Sequence, residues 1–189
     1  MILDIEKKAF GEKVIFQNFH LELRNSGAHY VIEGPSGAGK TTLLRIMAGL
    51  DKDYEGRLAD PFLHPIILFQ ENRLIESLSV ESNLRAVSDD ENRIEQVLAS
   101  LSLAGELRSH VSSLSGGMKR RVAIARALIA DYDTLLLDEP FSGLDESLIE
   151  SVSEFILKEA GSRTIIVISH DKADERRFGA LPITIGLKE

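Results

Sequence analysis

Gly34-Pro35-Ser36-Gly37-Ala38-Gly39-Lys40-Thr41 is a glycine-rich turn set between a short apolar run, His29 to Glu33, and a segment from Thr41 to Leu50. In that segment Leu43, Leu44, Ile46, Met47 and Leu50 recur at helical spacing. The pattern G-x-x-x-x-G-K-[ST] requires a strand to deliver it and a helix to leave it, and both are present. Its glycines let the backbone curl until successive N–H groups point inward, and the start of the helix adds its positive dipole end. Such a cradle suits a polyphosphate. Lys40 is then expected to reach the β- and γ-phosphates, the Thr41 hydroxyl to complete a Mg²⁺ shell, and Thr42 to add a phosphate contact.

The rest of the chain alternates between two periods. Leu3 to Ala9 and Val14 to Leu23 read as strands around a turn at Gly11-Glu12, an antiparallel β portion at the N-terminus. Pro65 to Phe69 reads as a buried strand, and Thr134 to Leu137, Thr164 to Ile168 and Pro182 to Leu187 as further strands. Glu146 to Ala160 and Asp171 to Phe178 read as helices. Between Phe69 and Thr134 the pattern is helical over Val80 to Arg85, Asp90 to Leu101 and Gly116 to Ala130. Apolar strands alternating with helices imply an α/β fold with a mostly parallel sheet covered on both faces. Residues 72–130 form a helical subdomain inserted into it. With 189 residues, 43% apolar and 28% charged, the chain suits one globular domain, 1–189.

Leu135-Leu136-Leu137 ends in Asp138-Glu139. At the carboxyl end of a strand beside a phosphate loop, Asp138 is placed to support Mg²⁺ and Glu139 to orient an attacking water. The alternative is a strand that simply ends in solvated charge. The net charge of −8 argues against nucleic acid as a partner. Lys119-Arg120-Arg121 is a local basic cluster and reads as a solvated helix face. The absence of cysteine removes disulfides, thiolate catalysis and Cys-based zinc sites. The N-terminal residues lack the basic head and apolar core of a secretory signal. No run approaches the roughly 18 apolar residues that cross a bilayer, so a membrane role would come through a partner.

With Leu114-Ser115-Gly116-Gly117-Met118 ahead of the acidic strand end, the chain resembles the ATP-binding subunits of ABC transporters, in which an LSGGQ-like motif opens a helix. Physically, Ser115, Gly116 and Gly117 offer a hydroxyl, free N–H groups and a helix dipole, a second anion cradle; an ordinary serine N-cap is the plainer reading. The resemblance runs over nearly the whole chain in the family's order. It implies that Phe10 stacks on adenine, although Phe10 alone could be a core aromatic. It implies that Gln70 contacts Mg²⁺ and water, that Asp145 belongs to the loop after the acidic pair, and that His170 hydrogen-bonds the γ-phosphate. The ligands implied are ATP and Mg²⁺. Met118 departs from the usual glutamine, and the short connection from Leu50 to Pro65 implies a trimmed early hairpin.

The same resemblance implies an ATPase that works as a head-to-tail pair, homodimeric or with another ABC ATPase subunit. Each ATP would lie between one copy's phosphate loop and the other's Ser115-Gly116-Gly117 turn. Residues 70–84 are similar to the region after the Q-loop in importer ATPases of the nitrate, sulfonate and taurine type. Leu74, Ile75, Leu78, Val80 and Leu84 could line an apolar groove for a permease, or could be internal packing. The expected role is energising import of a small solute through a separate transmembrane permease, from a peripheral position at the cytoplasmic face of the membrane. A soluble ABC-type ATPase with a non-transport role is the alternative. Such relatives usually carry coiled-coil inserts, zinc cysteines, a tandem second ATPase domain or basic surfaces, and none is visible. If the paired assembly is right, Glu139→Gln protein will associate into dimers when ATP is added. A size measurement showing no ATP-dependent association would count against it.

Overall fold

The structure, a computed structural model, describes residues 1–24 and 27–186. Five strands form a wholly parallel sheet: β3 (His29–Glu33), β5 (Pro65–Leu68), β6 (Thr134–Asp138), β7 (Thr164–Ile168) and β8 (Leu181–Thr184), in the order β5-β6-β7-β3-β8. Three more, β1 (Ile2–Phe10), β2 (Lys13–Glu22) and β4 (Glu55–Ala59), form an antiparallel sheet ordered β2-β1-β4. The helices are α1 (Lys40–Met47), α2 (Val80–Arg85), α3 (Glu91–Ser100), α4 (Gly116–Ile129), α5 (Glu146–Ala160) and α6 (Ala173–Phe178), with a 3-10 turn at Val111–Ser113. The expected α/β architecture is observed, and α2 to α4 lie between β5 and β6. Leu187, the expected end of the last strand, lies outside the described residues.

The run Leu135-Leu136-Leu137 shows why the central strands are apolar throughout. Successive side chains point to opposite faces, and each face has its own cover. Leu135, Leu137, Ile165, Val167 and Val31 join a core with α2 to α6. Leu136, Ile166, Ile168, Tyr30 and Ile32 join a second core with α1 and the antiparallel sheet. Edge strand β5 was expected to be buried, but only its Leu68 is; Pro65, Ile66 and Ile67 are half-covered because β6 flanks one side alone.

Helix starts follow side-chain caps. The Ser79, Asp90 and Ser115 side chains accept hydrogen bonds from the backbone N–H of Ser82, Arg93 and Met118, and α2, α3 and α4 each begin at the next residue. Strand β4 was not expected. Its Glu55, Gly56 and Arg57 are exposed, and it exists because the edge of β1 supplies its hydrogen bonds, with Leu3 opposite Leu58. The connection after Leu50 thus contributes one strand.

Gly56 sits opposite Ile5 with φ +146, and a Cβ there would lie 2.1 Å from the Asp4 carbonyl oxygen. Gly56→Ala is therefore expected to lower stability by about 1–3 kcal/mol, read as a fall in the urea or thermal midpoint. An unchanged midpoint would show that the β1–β4 contact is not close-packed in solution.

Candidate functional site

Parallel register decides where the functional side chains go. Ile32 and Asp138 both pair with Ile168, while Leu68 pairs with Leu137. The ends of β3, β5, β6 and β7 therefore open on one edge, where ligands of open parallel sheets bind. Gly34 follows β3, Gln70 lies two residues beyond β5, Glu139 follows β6, and His170 lies two residues beyond β7.

The loop from Gly34 to Gly39 turns from β3 into α1. Gly39 caps α1 in the left-handed conformation, φ +95, and a Cβ there would come within 2.4 Å of the Ile15 side chain. Only glycine meets both demands. Ala38 is buried and donates its N–H to the Pro35 carbonyl at 3.2 Å. Lys40 is also buried, and its Nζ donates to the carbonyls of Gly34 at 2.8 Å and Pro35 at 3.0 Å. The ammonium is thus folded across the loop.

Asp138 is 2% exposed, so the solvated strand end is ruled out for it. Its Oδ2 accepts a hydrogen bond from Thr41 Oγ1 at 2.7 Å. Burial raises its carboxyl pKa above the ordinary value, against the opposing effect of the Thr41 bond. Glu139 has φ +47, unusual for a residue with a side chain, and its N–H donates to the Ile168 carbonyl at 2.9 Å. This turn brings its carboxylate between Gln70 Nε2 at 3.4 Å and His170 Nε2 at 3.2 Å. A cleft of about 250 Å³ is lined by Ser36, Gly37, Gly39, Lys40, Thr41, Thr42, Gln70, Asp138, Glu139 and His170, with Ile15 and Ile168. A hydroxyl, a buried carboxylate and an amide oxygen form a hard oxygen set that suits Mg²⁺. A cation there would neutralise the carboxylate that burial disfavours. Loop amides and Lys40 can hold phosphate, while Glu139 can accept a proton from water.

Phe10 and the Ser115-Gly116-Gly117 turn are not in this cleft. Phe10, at the end of β1, is 53% exposed, so it is no core aromatic, and Lys8 Nζ lies 4.6 Å from its ring centre. Ser115 and Gly116 are exposed, and Ser115 does serve as the N-cap of α4. Gly117 lies against the loop after Glu139, where a Cβ would sit 3.1 Å from the Gly143 carbonyl. Of the apolar groove, Val80 and Leu84 are core residues and Leu74 packs against the core, whereas Ile75 is 54% exposed and Leu78 is also exposed.

The basic cluster was misread as a solvated face. Arg120 is 2% exposed and among the largest fully buried side chains. Its Nε donates to the Pro140 carbonyl at 2.9 Å, and Nη2 to those of Asp138 and Glu139, both at 2.8 Å. Nη1 donates to the carbonyls of Phe69 at 2.6 Å and Gln70 at 3.2 Å and to Asn72 Oδ1 at 3.3 Å. Burial lowers its pKa to about 10, with Asp138 and Glu139 opposing, so it stays charged at neutral pH. Arg121 donates to the Leu101 and Ser102 carbonyls, and Lys119 pairs with Glu76. The signal was available: Arg120 precedes Ala123, Ile124 and Ala127 by three, four and seven positions, which is the buried stripe of α4.

Residues 16–142 match the family model described as ABC transporter. The aliphatic sulfonates import ATP-binding protein SsuB of Bacillus licheniformis is 38% identical, over 96% of this chain and 77% of that protein. The SsuB 1 protein of Pseudomonas savastanoi pv. phaseolicola is 37% identical, over 90% and 74%. A solved structure titled as the dimeric structure of MJ0796, a bacterial ABC transporter cassette, superposes with TM-score 0.81 at 28% identity, covering 98% of this chain and 94% of that one.

Because burial raises the Asp138 pKa, the folded state favours the protonated carboxyl. The stability this gives is present at low pH and lost as pH rises through the folded-state value. Asp138→Asn keeps an acceptor for Thr41 without the charge. The variant free of nucleotide should be at least as stable as wild type at pH 7–8, with the difference shrinking toward acid pH. It should also lose the stabilisation by ATP that requires Mg²⁺. Thermal unfolding across pH checks both; a variant less stable at neutral pH and equally protected by Mg²⁺ and ATP would contradict the site.

Proposed function

The chain belongs to the ABC transporter family of ATP-hydrolysing ATP-binding subunits, and from that premise we propose that it powers import of a small solute by hydrolysing Mg²⁺-ATP at the cleft between the phosphate loop and Glu139. The observation that carries the reading is the Glu139 carboxylate, set between Gln70 and His170 on the edge that also holds Lys40 and the Thr41–Asp138 pair.

In this reading the loop amides of Gly34 to Gly39 and the Lys40 ammonium hold the β- and γ-phosphates, exchanging carbonyl partners for phosphate oxygens. Thr41, Asp138 and Gln70 would hold Mg²⁺, which when bound supplies charge neutralisation on the phosphates. Glu139 orients water for in-line attack and takes its proton, and His170 steadies the γ-phosphate. Thr42 adds a phosphate contact and Phe10 offers an exposed ring to adenine. The Ser115-Gly116-Gly117 turn, exposed and outside its own cleft, completes the site of a second copy in a head-to-tail pair. A cassette of similar fold is dimeric, which supports the pairing itself.

Import is favoured because both relatives described above are named as sulfonate import subunits. No described helix is long and apolar enough to cross a membrane. In this reading a separate permease carries the solute, with this chain docked peripherally on its cytoplasmic side, and Ile75 and Leu78, exposed and five and eight residues after Gln70 in the chain, suit contact with it.

Glu139→Gln should reduce turnover roughly 10²- to 10⁴-fold while leaving Mg²⁺-ATP affinity largely intact, measured by phosphate release and nucleotide titration. Turnover like that of wild type would remove Glu139 from the chemistry. Identification of the membrane proteins that purify with the native chain tests the importer half of the reading.

A further inference from the structure

Arg120 is a fully buried cation, yet no ligand or solvent group is needed to satisfy it. Its fork is filled by backbone carbonyls from the two segments that carry Gln70 and Glu139, with the Asn72 amide oxygen beside them. Carbonyls offer partial charge only, so holding a guanidinium this way costs more than pairing it with a carboxylate, unless the geometry itself is useful. Arg126, six residues further along the same helix, repeats the contact by donating to the carbonyls of Asn72 at 3.1 Å and Arg73 at 2.8 Å. Helix α4 therefore grips residues 69–73 at two points. Glu139 also needs external support, because a non-glycine residue at φ +47 persists only where its surroundings over-determine it. The Ile168 bond holds its N–H and Arg120 holds its carbonyl. Ser115, the cap of α4, lies only five residues before Arg120.

We propose that Arg120 is a positioning residue for hydrolysis: it fixes the Gln70 and Glu139 side chains over the phosphate loop and makes their placement follow helix α4, and so the Ser115-Gly116-Gly117 turn. The inference rests on the roles given above to Gln70 and Glu139. Arg120 does not line the cleft; it acts through the backbone of both residues. None of its hydrogen bonds goes to Lys40 or to the loop from Gly34 to Gly39, so nucleotide binding and turnover should separate when it is changed.

The test uses Arg120→Gln, which keeps a planar donor, and Arg120→Lys, which keeps the charge without the fork. Val152→Ala, in the core face of α5, serves as a control for general destabilisation. Steady-state kinetics are expected to show kcat down roughly 10- to 100-fold in the arginine variants, with KM and Mg²⁺-ATP affinity within about threefold, and near-normal kcat in the control. Single-turnover measurements in the Glu139→Gln background should show little further loss, since the residue through which Arg120 acts is already disabled. If Arg120→Gln does not fold, Arg120→Lys carries the comparison. Unchanged kcat in a folded variant, a loss confined to KM, or an equal loss in both backgrounds would overturn the proposal. Wild-type-like turnover in Glu139→Gln alone would instead overturn the role of Glu139 on which it stands.

Discussion

The parallel hydrogen-bond register of β5, β6, β7 and β3 is the constraint from which the rest of the structure follows. A shift of one residue in any pairing would exchange the two faces of that strand, sending Leu136 and Ile166 into the wrong core. It would also move one strand end along the edge by about 3.3 Å, more than a hydrogen bond tolerates. The contacts of Thr41 with Asp138 and of His170 with Glu139 thus depend on the same register that fills the two cores. Packing and chemistry are specified together.

The inserted helices add a second level of organisation. Helix α4 packs against β5, α2 and α3, and its Val122, Ala123, Ile124 and Ala127 join the core they share. Arg120 breaks this apolar surface where the edge of the sheet becomes loop. The guanidinium stands where unpaired carbonyls at the ends of β5 and β6 would otherwise be buried. One side chain thereby satisfies two strand ends and ties them to a helix that faces away from their cleft. An apolar residue of similar size would leave those carbonyls without donors.

Much of this was legible in the sequence, for local reasons. Glycines, a lysine and a threonine at fixed spacing after an apolar run mark the phosphate loop, and serine or aspartate caps mark the starts of α2, α3 and α4. What was not legible depends on distant partners. Strand β4 is mostly polar and takes shape only against β1. Charge at Arg120 suggested solvent, although its place on the stripe of α4 pointed inward. The exposure of Phe10 and the burial of Val80 and Leu84 likewise had to come from the fold. Lys8 belongs with these: the β1–β4 pairing slips between Ile5 and Lys7, the inward face resumes at Lys8, and Asp51 receives its ammonium at 2.9 Å.

The Lys40 ammonium, bound to the Gly34 and Pro35 carbonyls, bears on how the cleft discriminates among anions. Those carbonyls tie the lysine to the turn, so an anion that took the ammonium from them would gain only the difference between what it offers and what it displaces. An isolated oxyanion offers one anchoring point and recovers little beyond the carbonyls it dislodges. A chain of phosphates engages the ammonium while also running along the N–H groups of the turn, and gains at every link. On the proposed role of the loop, preference for the longer polyanion would follow from what the lysine holds.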